Sequence, residues 1–545
     1  MAYTKAMFAP HTDYQSLYDG FRWALPSRFN MGVAVSDAWA KEAPKRVCLE
    51  HFDPGRPPRQ MDYAGFSQKS SALAKALKAR GVVPGDRVAI LLPQGFETAI
   101  THAAVYKLGA IALPLALLFG AEAMAFRLKD AEARVVVTDL FGLSRLQEIR
   151  SGLSTLDLVL VACEGAAPDG TIAFAALTQD DQGFVPLDTG PDDPALMIYT
   201  SGTTGPPKGA LHGHRVLLGH LPGFAFHHAP LPQPDDKLWT PADWAWAGGL
   251  LNALMPSLLF GIPVVSSPAQ KFDPHMAFRI LAEMKVRNAF IPPTALRLMR
   301  AVEDPRKLYA FDLRTVSSAG ESLGRDTYEH ASAALGVPVA EFYGQTECNM
   351  VLSSSAHHGV LKAGSMGKAV PGHRVAIIDG QGRPLPQGSP GQVAVAQPDP
   401  VMFLGYWRND AATTAKFIGD YMTTGDEGVM DEEGYVTFFG RDDDVITSSG
   451  YRIGPTEIED CLSGHPAVAL VAVVGKPDPL RTEIVKAFIV LKQGAQPSER
   501  LKTELATWVK TRLSMHEYPR EIAFVDSLPL TTSGKVIRRA LRAQS

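Results

Sequence analysis

Apolar residues along this chain follow two alternating rhythms. One recurs every three to four positions, as over residues 63–80, where Phe66, Leu73 and Leu77 share a helical face and Gly81 stops the helix. The other is a short, nearly unbroken run. Residues 88–92, 134–138 and 158–162 are largely aliphatic, as strands are when both faces of a parallel sheet are covered. Further strands are predicted at 288–291, 338–342 and 374–379. Residues 244–270 carry no charge, which raises the question of a membrane span. Gly248, Gly249, Asn252, Pro256, Ser257, Gly261 and Pro263 interrupt them, so the pattern predicts a buried helix, a turn and a strand at 262–265.

The rhythm changes after residue 360. The stretch 380–391, GQGRPLPQGSPG, is dense in turn formers. It separates apolar runs at 375–378 and 392–396, which predicts a hairpin or small barrel, with another strand at 435–439. Beyond Arg441 a smaller βα pattern follows. Helices are predicted at 455–462 and 498–513, and strands at 469–474, 485–491 and 522–525. A domain boundary is predicted near Asp443.

With 545 residues, 46% hydrophobic and 20% charged, the chain can bury a large core and is not compositionally disordered. Lys and Arg number 53 against 57 Asp and Glu, a net charge of −4. That balance argues against a general nucleic-acid binder. Cys48, Cys163, Cys348 and Cys461 are dispersed without a CxxC pair, which excludes a disulfide framework and suits a reducing compartment. The N-terminus lacks an apolar signal core and carries Asp13 and Asp19, so a cytoplasmic location is expected. His212, His214, His227 and His228 have no cysteine or acidic partner at zinc spacing.

The most informative string is MIYTSGTTGPPKG, residues 197–209. An apolar strand leads into four hydroxyls (Thr200, Ser201, Thr203, Thr204), the glycines Gly202, Gly205 and Gly209, and Lys208. Glycines let backbone N–H groups converge on an anion, hydroxyls add donors, and the lysine adds charge. Two prolines between Gly205 and Lys208 distinguish it from a Walker A loop. Its chemistry suits a polyphosphate.

This string resembles the signature loop of the adenylate-forming superfamily of acyl-CoA synthetases, peptide-synthetase adenylation domains and luciferases. SAGES (318–322), YGQTE (343–347), TGD (424–426), GRDDD (440–444), SGYRIGPTEIE (449–459) and residues 529–535 match family motifs in family order. The resemblance implies a large α/β domain, 1–442, of mixed and parallel sheets sandwiched by helices, with a small β-barrel subdomain. A small mobile α+β domain, 443–545, would follow and carry the catalytic lysine. It also implies that a carboxylic acid and ATP form an acyl-adenylate and pyrophosphate, after which coenzyme A takes the acyl group. The alternative acceptor is an acyl carrier protein.

Joining one anion to another requires cations and oriented donors where charge develops. By resemblance, Lys535 bridges the carboxylate and the α-phosphate, with Thr346 and Glu347 as its catalytic partners and Glu347 as the Mg²⁺ ligand. ATP contacts are implied for Thr200, Ser201, Gly202, Thr203, Thr204, Gly205, Lys208, Gly320, Glu321, Ser322, Tyr343, Gly344, Gln345, Thr346, Asp426 and Arg441. Asp426 would bind the ribose hydroxyls, and Arg441, fifteen positions on, the ribose or phosphate. Asp443 sits at the hinge position. Coenzyme A contacts are implied for Ser449, Gly450, Tyr451, Arg481, Tyr518, Pro519 and Arg520. The acid would meet Trp246, Gly344 and Arg452. Acetate-restricted relatives carry tryptophan at the position of Gly344, so a larger acid is expected, of medium-chain, branched or aromatic type. Pro529, Gly534 and Lys535 also resemble the motif at which these enzymes are lysine-acetylated.

Overall fold

A computed structural model describes residues 13–200, 206–267, 272–441, 444–448, 451–478, 481–513, 517–531 and 535–544. Among these residues the strands form four sheets. Two large sheets face each other across a layer of helices. One has eight strands, and its parallel centre is built from Arg87–Leu91, Ile111–Pro114, Val135–Asp139 and Leu158–Ala162. The aliphatic runs of the sequence lie here. In Val135–Asp139, Val135 and Val137 join the core between the sheets, whereas Val136 packs on the outer face. The strand is covered on both sides, so its positions 135–137 are all apolar, and the buried Thr138 donates its hydroxyl to the Leu91 carbonyl.

The nine-stranded sheet includes Val264–Ser266, Leu238–Trp239, Asn288–Phe290, Thr315–Ser318 and Val339–Gln345 in parallel. Its outer face is packed by helices Pro274–Glu283, Pro293–Met299 and Arg325–Leu335. The uncharged stretch is explained by this packing. Helical segments from Ala247 to Phe260, including a π turn over Leu250–Leu254, are buried between the sheets. Gly261 ends them at φ +73°, where a Cβ would lie 2.4 Å from the Trp39 ring. Among the described residues no helix is long and apolar enough to cross a membrane.

The change of rhythm after residue 360 corresponds to an antiparallel five-stranded sheet. Val375–Ile378 pairs with Pro390–Ala396 as the turn-rich loop predicts, and Tyr421–Met430 pairs with both Pro390–Ala396 and Val436–Arg441. The fourth sheet lies wholly beyond residue 445: Thr482–Leu491 at its centre pairs antiparallel with Val468–Asp478 and parallel with Glu521–Phe524. Helices Pro455–Ser463 and Glu499–Arg512 cover it.

One buried cation ties the helix layer together. Lys107 has a fully buried side chain. Its ammonium donates to Asp37 (2.6 Å), Ser70 Oγ (2.8 Å), Ser71 Oγ (2.9 Å) and the Ser67 carbonyl (3.2 Å). Removing one partner of a buried pair strands the other charge at a cost of about 3–5 kcal/mol, whereas replacing both can be nearly neutral. Asp37→Ala is expected to shift the denaturant midpoint by that amount, and adding Lys107→Met should recover most of the loss. A shift below about 1 kcal/mol, measured by urea unfolding, would show the pair to be dispensable.

Candidate active site

The phosphate-loop string is a strand–loop–strand unit rather than a strand-to-helix turn. Pro194–Thr200 and Lys208–Gly213 pair antiparallel, with Thr200 opposite Lys208. Thr200 Oγ1 donates to the Lys208 carbonyl at 3.4 Å. Ser201, Gly202, Thr203, Thr204 and Gly205 lie outside the described residues. From the second strand, the Lys208 ammonium sits 4.8 Å from the centre of the Tyr406 ring. Tyr406 belongs to the short strand Gly405–Tyr406, which adds to Lys208–Gly213. Its hydroxyl donates to Glu347 Oε1. Burial, and then the Glu347 charge, raise the phenol pKa and keep it a donor. Glu347 is buried in the turn after Val339–Gln345, beside Thr346.

The second cluster sits at the end of the same strand. The Tyr343 hydroxyl donates to Asp426 Oδ2. Asp426 is opposite Arg441 in the hairpin of Tyr421–Met430 with Val436–Arg441, with Arg441 Nε 3.8 Å from its Oδ1. The fifteen-residue spacing is therefore a cross-strand pair. Gly425 allows the approach at φ +75°. Burial raises the Asp426 pKa, and Arg441, the Tyr343 bond, Lys416 and Lys535 counter it. Gln345 Nε2 donates to the Thr424 carbonyl at 3.0 Å, and its Oε1 accepts from Lys416 Nζ at 2.7 Å.

Gly320 is exposed at φ +103°, with nothing within 4 Å of where a Cβ would stand, which leaves a bare backbone surface. Glu321 turns away to the start of helix Pro293–Met299. It accepts from Thr294 N (3.1 Å), Thr294 Oγ1 and Arg297 Nη1 (3.0 Å), while Arg297 Nη2 holds the Ser322 carbonyl at 2.7 Å.

Lys535 enters this group from the C-terminal region. Thr531 N donates to the Lys535 carbonyl (2.7 Å) and Lys535 N to Thr531 Oγ1 (3.0 Å), which ties the two residues together. The residue keeps contact with solvent, yet protein crowds its ammonium and lowers its pKa. Glu321, Asp426 and Glu347 push that pKa back up, and Arg441 lowers it. Lys208, Glu347, Asp426, Arg441 and Lys535 thus share one neighbourhood.

The remaining expected residues are more scattered. Trp246 is half-buried, edge-on to Phe119 at 5.6 Å. The preceding Asp243 carboxyl accepts from Ala245 N at 2.9 Å, and burial pushes its pKa up to about 6. A Cβ on Gly344 would stand 2.3 Å from Met350 N and 2.6 Å from Asn349 Cα. The glycine is thus required by the facing strand, and any side chain there would have to displace backbone. Arg520 lies 4.9 Å above the Tyr518 ring and donates to its hydroxyl at 2.9 Å, and Pro519 between them is buried. Arg481 N bonds Asp478 Oδ1 just before Thr482–Leu491, at the same end of that strand as Arg520, whose N donates to the Val485 carbonyl. Asp443, Ser449, Gly450 and the side chains of Tyr451 and Arg452 lie outside the described residues. His212, His214, His227 and His228 are buried, and burial lowers all their pKa values, those of His212 and His227 to about 3.

Residues 36–407 match the AMP-binding enzyme family and residues 457–535 its C-terminal domain. This chain belongs to the AMP-binding enzyme family. An acetyl-coenzyme A synthetase of Bacillus subtilis is 34% identical over 97% of this chain and 95% of its own length. The mitochondrial acyl-coenzyme A synthetase ACSM2 of Rattus norvegicus is 33% identical over 95% of this chain and 91% of its own. Among solved structures, an anthranilate CoA ligase in complex with anthranoyl-AMP superposes with a TM-score of 0.86 at 27% identity. It covers 95% of this chain and 98% of the other. A Brucella canis acyl-CoA synthetase superposes at 0.75 and 34% identity, over 98% and 99%.

In this AMP-binding enzyme several groups carry no motif of their own: Tyr406, Lys416, Arg297 and Asp460. Asp460, on helix Pro455–Ser463, reaches Gly324, where a Cβ would meet its carboxylate at 2.5 Å. Burial pushes the Asp460 pKa up to about 7 and that of nearby Glu341 up to about 8. Arg297 lowers both, while Glu459, Glu457 and Asp326 raise that of Asp460. A carboxyl with a raised native pKa favours the folded arrangement while protonated, and that contribution is lost as pH rises through the native value. Asp460→Asn should therefore raise the melting temperature most at about pH 8, by clearly less at about pH 5.5, and not at all only below the free carboxyl value of 3.8. Equal shifts at both pH values would show that Asp460 is not held protonated at this contact.

Proposed function

We propose that this protein activates a medium-chain, branched or aromatic carboxylic acid with ATP and transfers the acyl group to coenzyme A, releasing AMP and pyrophosphate. The ligase class follows from the family and from near full-length relatives that are acyl-CoA synthetases. What supports the mechanism is that Lys535 lies within electrostatic reach of Asp426, Glu347 and Arg441, with Arg441 paired to Asp426 across one hairpin.

In the first half-reaction a carboxylate oxygen bonds to the α-phosphorus of ATP and the bond to the bridging oxygen breaks, so pyrophosphate leaves with the electron pair. Lys535 and Lys208 offset the negative charge gathered there, and Thr346 adds a hydroxyl donor. Asp426 accepts from the ribose hydroxyls, and the bare Gly320 backbone faces the base, flanked by Ser322 and Tyr343. Glu347 is the only protein carboxylate assigned to Mg²⁺. The described residues hold no cluster of three His, Cys, Asp or Glu that could cage a metal. That fits an ion held by one carboxylate, phosphates and water, which when bound would neutralise phosphate charge. In the second half-reaction the thiol of coenzyme A displaces AMP from the acyl carbon.

The thiol needs the space that Lys535 fills, so residues 443–545 are read as a lid that turns at Asp443. The turned lid would present Ser449, Gly450 and Tyr451 to the pantetheine arm, and Arg481, Tyr518, Pro519 and Arg520 to the phosphates. Arg452 and Trp246 are assigned to the acid. Structural neighbours named as anthranilate and benzoate CoA ligases favour an aromatic acid. Acetylation of Lys535 would remove its charge and silence adenylation.

The deciding experiment is ATP–pyrophosphate exchange over straight-chain, branched and aromatic acids, with products weighed with and without coenzyme A. Exchange without acyl-CoA formation would redirect the reading to a carrier-protein acceptor, and no exchange with any acid would end it. Lys535→Ala should lower exchange by about 10²–10³-fold while thioester formation from supplied acyl-adenylate changes by less than about threefold. Gly450→Leu should do the reverse.

A further inference from the structure

Lys416 is a cation in the nucleotide cleft with no carboxylate partner within 4.0 Å among the described residues. Its backbone is pinned, because Thr423 donates to the Lys416 carbonyl through both N (2.7 Å) and Oγ1 (3.0 Å). Its ammonium donates to Gln345 Oε1 at 2.7 Å and to the Thr423 carbonyl at 3.0 Å. Both acceptors are neutral. The charges around it are those of the assigned site: Glu347 and Asp426 favour its charge, while Arg441 and Lys208 oppose it.

The contrast with Lys107 is informative. Lys107 is fully buried and Lys416 half-buried, but Lys107 has a direct ion pair with Asp37 and two hydroxyls. Withdrawing a charge from water without a direct ion pair is costly. Glu347 and Asp426 act on Lys416 only from beyond 4.0 Å, and Arg441 and Lys208 oppose them, so an anion within reach of the ammonium would complete the site. An ammonium has three N–H donors, and Gln345 and Thr423 take two of them. Lys416 immediately precedes Phe417–Ile418, an edge strand of the antiparallel five-stranded sheet, and so lies outside the C-terminal region that carries Lys535.

We infer that Lys416 is a resident positioning cation for the nucleotide monophosphate. It holds the Gln345 amide in place and supplies positive charge to the phosphate in both half-reactions, whereas Lys535 serves only the first. This rests on the ligase reading above. Gln345 transmits the effect: with its oxygen held by Lys416, its nitrogen is committed to the Thr424 carbonyl at 3.0 Å, one residue from the turn that carries Asp426. The phosphate and ribose ends of the cleft are thereby linked through one side chain.

The test compares Lys416→Met and Lys416→Arg with the unaltered protein. AMP affinity is read by calorimetry, both half-reactions are measured separately, the second from supplied acyl-adenylate, and thermal unfolding serves as a folding control. Lys416→Met should weaken AMP binding roughly 10- to 30-fold and slow both half-reactions by similar factors, with a melting temperature within a few degrees of the unaltered protein. Lys416→Arg should restore AMP affinity and both rates to within about threefold, because the charge and a donor to Gln345 remain. The inference is overturned if Lys416→Met binds AMP normally. It is equally overturned if that variant loses adenylation while keeping the thioester step, or if the arginine variant is as impaired as the methionine one. An unaltered protein that binds AMP but makes no acyl-CoA would refute the ligase reading, while the AMP affinities would still decide the role of Lys416.

Discussion

A single buried carboxylate, Asp426, is the point on which the cleft depends. Its own strand belongs to the antiparallel five-stranded sheet. Tyr343 reaches it from the nine-stranded sheet, and Arg441 from the last strand before the C-terminal region. Lys535 influences it from the C-terminal region. A carboxylate removed from water is tolerated only where donors and cations converge on it. Satisfying Asp426 therefore ties the five-stranded sheet to the nine-stranded one and to the C-terminal region. The eight-stranded sheet joins through Lys208, Tyr406 and Glu347, which bring the phosphate-loop hairpin to the same strand end as Tyr343.

Positive charge in the cleft is divided between what stays and what moves. Lys208, Lys416 and Arg441 are all supplied by residues up to 441, on strands of the two sheets that pair around the cleft or directly beside them. Lys535 alone comes from beyond the proposed hinge. Such a division suits a reaction in which charge is greatest in the first step, when triphosphate and carboxylate meet, and smaller once pyrophosphate has gone. In the proposed reaction a mobile cation would serve the first step, and fixed cations would hold the nucleotide through the second.

Much of this was legible in the chain because the relevant constraints are local. The aliphatic runs became central strands, since a strand covered on both faces admits no polar alternation. The helix over 63–80 is Tyr63–Ala79, with Asp62 capping the Gly65 amide. The spacing of Asp426 and Arg441 became a hairpin pair. What escaped the sequence depends on contacts between distant segments. Tyr406 reads as an ordinary aromatic until Gly405–Tyr406 adds to the phosphate-loop hairpin and meets Glu347. Lys416 has no motif, because its significance lies in its setting, an ammonium with no carboxylate within 4.0 Å among the described residues. The glycine at 344 was read as an empty space for the acid, whereas its immediate cause is the backbone of Asn349 and Met350 pressed against it.

The junction between the two parts of the chain is of a kind that would let the proposed lid be both accurate and releasable. No hydrophobic cluster among the described residues spans it, for those of the C-terminal region draw only on residues from 446 onward. Besides Gly454 and Pro455 against Phe439 and Gly440, what meets there is polar: Asp460 beneath Gly324, with Glu341, Asp326 and Arg297 close by. A shared apolar core would hold the lid down with many kcal/mol of burial. A carboxylate contact fixes position through charge and shape but is weak enough to separate. Inside the C-terminal region the logic is the opposite. Arg538 binds both oxygens of Glu459 and, with Arg542, ties to Asp444, one residue past the proposed hinge. These pairs join the tail three residues after Lys535 to the start of the region, so a turn at the proposed hinge would carry the Lys535 ammonium with it.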